Sequence, residues 1–393
     1  MIPKIRDHFN QHFSEAQYLA MIADINKSCD NCLDFRVCET PIFFSKPFTR
    51  ELIKAGETIV EEIRSPKLLA QTDRGIPEGM FVPNPPPHPD FLAIDFAITR
   101  DDDGNFIPKL IELQAFPTTF CFEYFLDQKI REYFKIPPSF SCYFNGINRS
   151  EFLAHLRNIL LGNHQPENVI LLEVNPDAQK TRIDFALTEQ FFGIKTVCVT
   201  KILQRGKRLF YRHSGKEIAI QRIYNRVIFD ELILKKVDYH FHFRDELQVE
   251  WAGHPNWFFK ISKFILPLLR NPYTPECYYL SELTRYPGDL HNYVLKPLFS
   301  FAGSGVQMDV SKSALDSIDN RANYILQQKV EYAPFLKTPD NPASAEVRLI
   351  YFWRDKPRLM TSHVRVSKGR MMGVDFNKRQ KWVGSTIGYH PLV

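Results

Sequence analysis

Residues 91–117, "FLAIDFAITRDDDGNFIPKLIELQAFP", constrain the fold most. Two largely apolar arms flank Asp-Gly-Asn, the turn chemistry that reverses a strand, so the stretch predicts a hairpin. Its strands fall at 91–99 and 107–114, with the turn from Asp101 to Asn105. Both arms alternate only loosely, which implies a buried or partly buried sheet. The residues before it have a helical period instead. Ser14 and Gln17 form a capping-box pair ahead of Leu19, Ile22 and Ile25, and Thr49–Ile63 predicts a second helix. The prolines of "VPNPPPHPD" then end that region as a rigid, extended crossing.

After the hairpin the pattern changes to α/β. "FLAHLRNILLG" reads as a helix stopped by Gly162, "ENVILLEV" as a strand, "TRIDFALTEQFFG" as a helix closed by Gly193, and "IKTVCVT" as a strand. That unit predicts parallel sheet with a right-handed crossover. "NWFFKISKFILPLLRN" predicts another helix. From about residue 290 come the strand "YVLKPLF", a helix around 313–326, the strand "YILQQKVE" and the strands "AEVRLIYFW" and "PRLMTSHVRVS", short strands joined by loops that predict an α+β lobe. At 393 residues, two or three lobes are expected.

Chemistry concentrates in two places. Glu112 and Gln114 are two apart on a strand and share a face, and Asp95 can sit opposite them. Three such oxygens suit Mg²⁺, which keeps water and phosphate oxygens as its other ligands. An edge hairpin with a polar solvent face explains them equally well. The second place is "VLKPLFSFAGSGVQ", where Lys296 on a strand precedes Gly303 and Gly305. This is neither a Walker A loop nor a dinucleotide fingerprint, since the spacing of both is absent.

Other readings are excluded or weaker. The net charge of +5 comes from scattered basic residues, so no nucleic acid is expected. No apolar run approaches the roughly 20 residues of a membrane span. The polar start and the odd count of seven cysteines point to a cytoplasmic protein. Cys29, Cys32 and Cys38 lack a fourth metal ligand and read as free thiols. His240 and His242 share a strand face without a third ligand. Arg222, Arg226 and Arg365 could serve phosphate or acceptor, or equally form ion pairs.

Taken together, the motifs resemble the ATP-grasp superfamily in the circularly permuted order of glutathionylspermidine-synthase-like proteins. The likeness runs from about residue 90 to near the C-terminus. It implies a circularly permuted ATP-grasp fold, α/β and α+β, with a parallel-sheet lobe like the pre-ATP-grasp domain. The helical periods set 1–89 apart as an N-terminal helical region outside the likeness, and the resemblance implies a displaced metal-binding hairpin over 90–145, an α/β and helical region over 146–289, and a nucleotide-binding part over 290–393. Lys296, Gly303 and Gly305 would cover ATP phosphates, and Arg348 would approach them. Gln328, Lys329 and Val330 would form the adenine hinge, with Glu331 a ribose ligand. Asp95, Glu112 and Gln114 match the Mg²⁺ ligands, Gln114 standing where the family has Asn. The implied activity is an ATP- and Mg²⁺-dependent ligase that joins a small-molecule or peptide carboxylate to an amine through an acyl phosphate. A small-molecule kinase and a non-catalytic nucleotide-binding or interaction protein are the alternatives. The acceptor and the oligomeric state are not encoded in these motifs.

Overall fold

Strand β2 (Phe91–Arg100) is buried along all but its last residue, and this places it inside a sheet. The computed structural model describes residues 2–300, 303–369, 372, 377 and 379–392, with Phe229 and Asp230 described by backbone alone. β2 pairs antiparallel with β3 (Phe106–Gln114) across the expected turn, and with β15 (Ser344–Trp353) on its other side. The sheet continues through β16 (Pro357–Ser367) and β17 (Gly384–Pro391) to β1 (Ile42–Phe43), which runs parallel to β17. β4 (Phe140–Ser141) pairs with the far end of β17, completing seven strands.

The two faces of this sheet differ, and the difference positions the site. Leu92, Ile94, Phe96 and Ile98 of β2 and Val347, Leu349 and Tyr351 of β15 join one core with helix α3 (Lys46–Ile63). The approach is close: a Cβ on Gly56 of α3 would lie 2.3 Å from the Tyr351 hydroxyl. The opposite face is apolar at one end, where Phe91, Ile350, Phe352 and Met360 meet helix α5 (Phe120–Tyr133). The alternate positions at its other end are Asp95, Glu346, Arg348 and Arg365. Helices α1 (Pro3–His12) and α2 (Glu15–Lys27) extend the α5 core, while α4 (Pro66–Thr72) packs beside α3.

The predicted strand–helix–strand unit forms a four-stranded parallel sheet ordered β11 (Glu250–Ala252), β10 (Arg222–Asn225), β5 (Val169–Glu173), β6 (Lys195–Cys198). Helices α6 (Arg149–Leu161) and α7 (Arg182–Phe192) cover one face. A meander of β7 (Leu203–Arg205), β8 (Arg208–His213) and β9 (Lys216–Ile220) and the short α8 (Phe229–Leu234) flank it. Besides that meander, a second small antiparallel sheet orders β12 (Cys277–Tyr279), β14 (Tyr324–Gln328) and β13 (Tyr293–Pro297), with α10 (Lys312–Asp316) on its outer face.

Several elements depart from expectation. The helix expected over "NWFFKISKFILPLLRN" splits into α9 (Pro255–Lys260) and a 3₁₀ segment Lys263–Leu268, because Ser262 caps a new start and Pro267 lies inside the second piece. The helix expected around 313–326 is only five residues long, and β14 already begins at Tyr324. His240 and His242 lie in a loop, so no strand face joins them. β1, from the first 89 residues, joins the large sheet beside β17, and β12 pairs with β14. Cys29, Cys32 and Cys38 are buried free thiols. Among the described residues, no helix is long and apolar enough to cross a membrane.

Candidate functional site

The charged end of the large sheet faces the inner face of the small antiparallel sheet. On β13, Tyr293 and Leu295 point outward into the α10 core, so Val294 and Lys296 point inward. Gln327 pairs with Val294 across β14 and faces the same way. Between the sheets lies a cavity of about 630 Å³, inside the ~300–1,000 Å³ range of small-molecule sites. Lys296, Gly303, Gln328, Lys329, Val330, Glu331 and Glu112, which the sequence places up to 219 positions apart, all line it. Lys263, Glu346 and Arg365 line it too. Gly305, Arg348, Asp95 and Gln114 are not on its wall.

The lysines are fixed rather than trailing. Lys296 is 8% exposed, and its Nζ donates to the Ile111 carbonyl at 3.1 Å, one residue before Glu112. Burial lowers its pKa, while Glu112 works to raise it. Lys263 opens the 3₁₀ segment and is equally buried. Its Nζ donates to the Ser300 carbonyl at 2.6 Å and lies 3.9 Å from Glu112 Oε2. Lys329 donates from its backbone to Asn292, and Gln328 from its backbone to Glu276, so the strand end at the cavity rim is pinned to both neighbours. Gly305 has φ +71°, and a Cβ there would lie 2.8 Å from Pro297 Cγ; the loop folds back onto the strand that carries Lys296.

Behind the cavity is an ion cluster set by strand register. Arg348 pairs with Asp95 across β15 and β2, and Asp95 with Glu112 across β2 and β3, beside a bulge at Asp95/Phe96. The Asp95 carboxylate accepts from Arg348 Nε and Nη2, both at 2.6 Å, and from Arg365 Nη2 at 2.9 Å. Burial works to raise the Asp95 pKa; the two arginines outweigh it and hold the carboxyl below its usual range. Glu346, directly across from Arg365, pairs with that arginine through Oε1 and accepts from the Tyr332 hydroxyl at 2.8 Å through Oε2. Arg348 Nη1 reaches Thr118 Oγ1 at 3.1 Å, and Arg226 reaches the Thr118 carbonyl at 2.8 Å. Arg222 instead holds the carbonyls of Ile159 and Leu160 and pairs with Glu250 at 2.6 Å.

This geometry tests the expected metal ligands. Mg²⁺ needs oxygens that are free to turn toward it at about 2.1 Å. Both Asp95 oxygens are committed to arginines, and Gln114 sits opposite Ala93, off the cavity wall. Glu112 alone of the three reaches the cavity, with Lys263 at 3.9 Å and Arg348 Nη2 at 4.0 Å. Among the described residues, no three His, Cys, Asp or Glu side chains are grouped to hold a metal ion. As arranged, the three expected donors do not fit a Mg²⁺ site.

No family model and no curated protein matches this chain. Among solved structures, the fold is similar to that of a glutathione synthetase like-effector (GSS30) from Globodera pallida in apoform, at 12% identity and a TM-score of 0.55. The likeness covers 98% of this chain and 99% of that one. A mixed α/β architecture of several sheets is common to both.

Proposed function

We propose that the cavity between the large and small sheets binds ATP, and that the chain uses it to activate a carboxylate for attack by an amine. The carrying observation is that a strand lysine, a glycine loop and a strand-end hinge converge on one cavity of about 630 Å³. The structural likeness to a glutathione synthetase like-effector supports the same reading, because the shared fold extends over nearly the whole of both chains. In this arrangement Gln328, Lys329 and Val330 face the base, and Glu331 the ribose. Lys296 and Lys263, with the loop at Gly303, face the phosphates.

The chemistry follows from charge. A carboxylate is a poor acyl donor because its leaving group would be oxide. Its oxygen attacks the γ-phosphorus of ATP, the bond to the β-phosphate oxygen breaks, and ADP leaves. The amine then attacks the acyl carbon, phosphate departs with the C–O electron pair, and the amine loses a proton. Fixed lysines and arginines stabilise the charge that builds on the transferring oxygens and need no reorganisation at the moment of reaction. In this reading Arg365, on the cavity wall, and Arg348, just behind it, take that role.

A second reading, a nucleotide-binding protein without turnover, is favoured by the Asp95 clasp, which leaves Glu112 as the one expected metal donor on the cavity wall. Incubation with ATP, metal and a panel of carboxylates and amines, followed by mass analysis, separates the readings. A new amide with stoichiometric ADP supports the ligase, and a stable phosphorylated product supports a kinase. Nucleotide binding with no product across the panel supports the second reading.

A further inference from the structure

The disagreement between the expected metal ligands and their observed surroundings has its own consequence. Three carboxylates, Asp95, Glu112 and Glu346, stand at this end of the sheet with four cations, Lys263, Lys296, Arg348 and Arg365. Asp95 is consumed by three charge-assisted bonds, and Glu346 by Arg365 and Tyr332. Glu112 keeps its oxygens, but a protein cation flanks each: Lys263 beside Oε2 and Arg348 beside Oε1. An ion bound about 2 Å from either oxygen would lie close to a fixed like charge. Lys263 cannot easily withdraw, because it is buried and its ammonium is anchored on the Ser300 carbonyl.

We propose that this chain meets the phosphate charge of its nucleotide with these protein cations, Lys263 foremost, so that a nucleoside triphosphate binds without a divalent metal. Lys263 occupies the ground beside Glu112 that a bound cation would take, and Lys296 enters from the facing sheet one residue away at Ile111. A triphosphate is attracted by the surplus of one positive charge and displaces no metal-bound water. The proposal rests on reading the cavity as a nucleotide site, and the experiment separates the two.

Calorimetric titration with a non-hydrolysable ATP analogue is run in EDTA and in excess MgCl₂. Affinities that agree within about threefold support the proposal. Binding at least about tenfold weaker in EDTA overturns it and leaves the nucleotide reading standing. No binding in either buffer overturns both. Lys263→Met is then expected to weaken binding in EDTA by about tenfold or more and to restore a benefit from Mg²⁺, because Glu112 loses its ammonium neighbour. Lys263→Arg keeps the charge and is expected to retain metal-free binding, which distinguishes lost charge from a damaged fold. If Lys263→Met binds in EDTA as wild type does, the assignment to Lys263 falls.

Discussion

Replacing Arg348 by Met tests the ion cluster directly. Asp95 is 1% exposed, and Arg348 supplies two of its three arginine bonds. After substitution the carboxylate stays buried with Arg365 as its only arginine, and a broken buried pair of this kind costs about 3–5 kcal/mol. Unfolding entropy near 2.1 cal/mol/K per residue gives roughly 0.8 kcal/mol/K for 393 residues, so a cooperative melt should fall by about 4–6 °C. Adding Asp95→Asn removes the orphaned charge, so the double variant should melt above Arg348→Met alone. The pH dependence has a fixed sign. Asp95 is held below its ordinary pKa, so its contribution is complete above the unfolded value near 4 and is lost as pH falls through the lower folded value. The gap between wild type and Asp95→Asn should therefore persist at mildly acidic pH and close only in stronger acid. Scanning calorimetry of the four proteins gives the cycle. An Arg348→Met melt within about 1 °C of wild type, or a double variant equal to the sum of the singles, would refute the coupling.

Three further substitutions read other parts of the structure. Lys296→Met should weaken binding of the ATP analogue by about tenfold or more, the loss of one charge-assisted contact, and unchanged affinity in calorimetry would remove Lys296 from the site. Burial pushes the Glu173 carboxyl up to about 8, so its stabilising contribution is complete below the unfolded value near 4.5 and is lost as pH rises through about 8. Glu173→Gln should thus match wild type near pH 4.5 and melt higher than it at pH 9; an equal pH slope in both proteins would count against that protonation. Gly384 has φ +117°, and a Cβ there would sit 2.3 Å from the Arg36 carbonyl oxygen, so Gly384→Ala should lower the melting temperature clearly, and an unchanged melt would mean that the backbone yields at little cost.

The sequence carried the local parts of this structure well. The hairpin strands, the parallel β–α–β unit and Lys296 on a strand are all set by short-range pattern and turn chemistry. The site's other half depends on register between distant strands, which no short window contains. That Glu346 faces Arg365 follows from how β15 and β16 align, including a register shift at Ile350/Tyr351. Asp95 and Glu112 were legible as oxygen donors, but two arginines more than 250 residues away decide what Asp95 is bonded to. Lys263 was missed because its stretch reads as one helix; the signal was the serine before it, a capping residue inside an apolar run.

The order of the large sheet also sets a timetable for synthesis. Asp95 emerges 253 residues before Arg348, so the β2–β3 hairpin exists with a long, apolar unpaired edge while most of the chain is still being made. At about 5–20 residues per second, that wait lasts roughly 12–50 s. β1 waits longer, for a partner among the last ten residues. The parallel sheet, whose strands all lie between residues 169 and 252, can form in the interval. The nascent chain therefore holds a folded middle between two incomplete ends, with a buried carboxylate in preparation and no arginine yet to meet it. A ribosome-bound chain halted near residue 330 should be protease-resistant across 150–260 and cut readily at the hairpin, and only a chain extended through β17 should protect both.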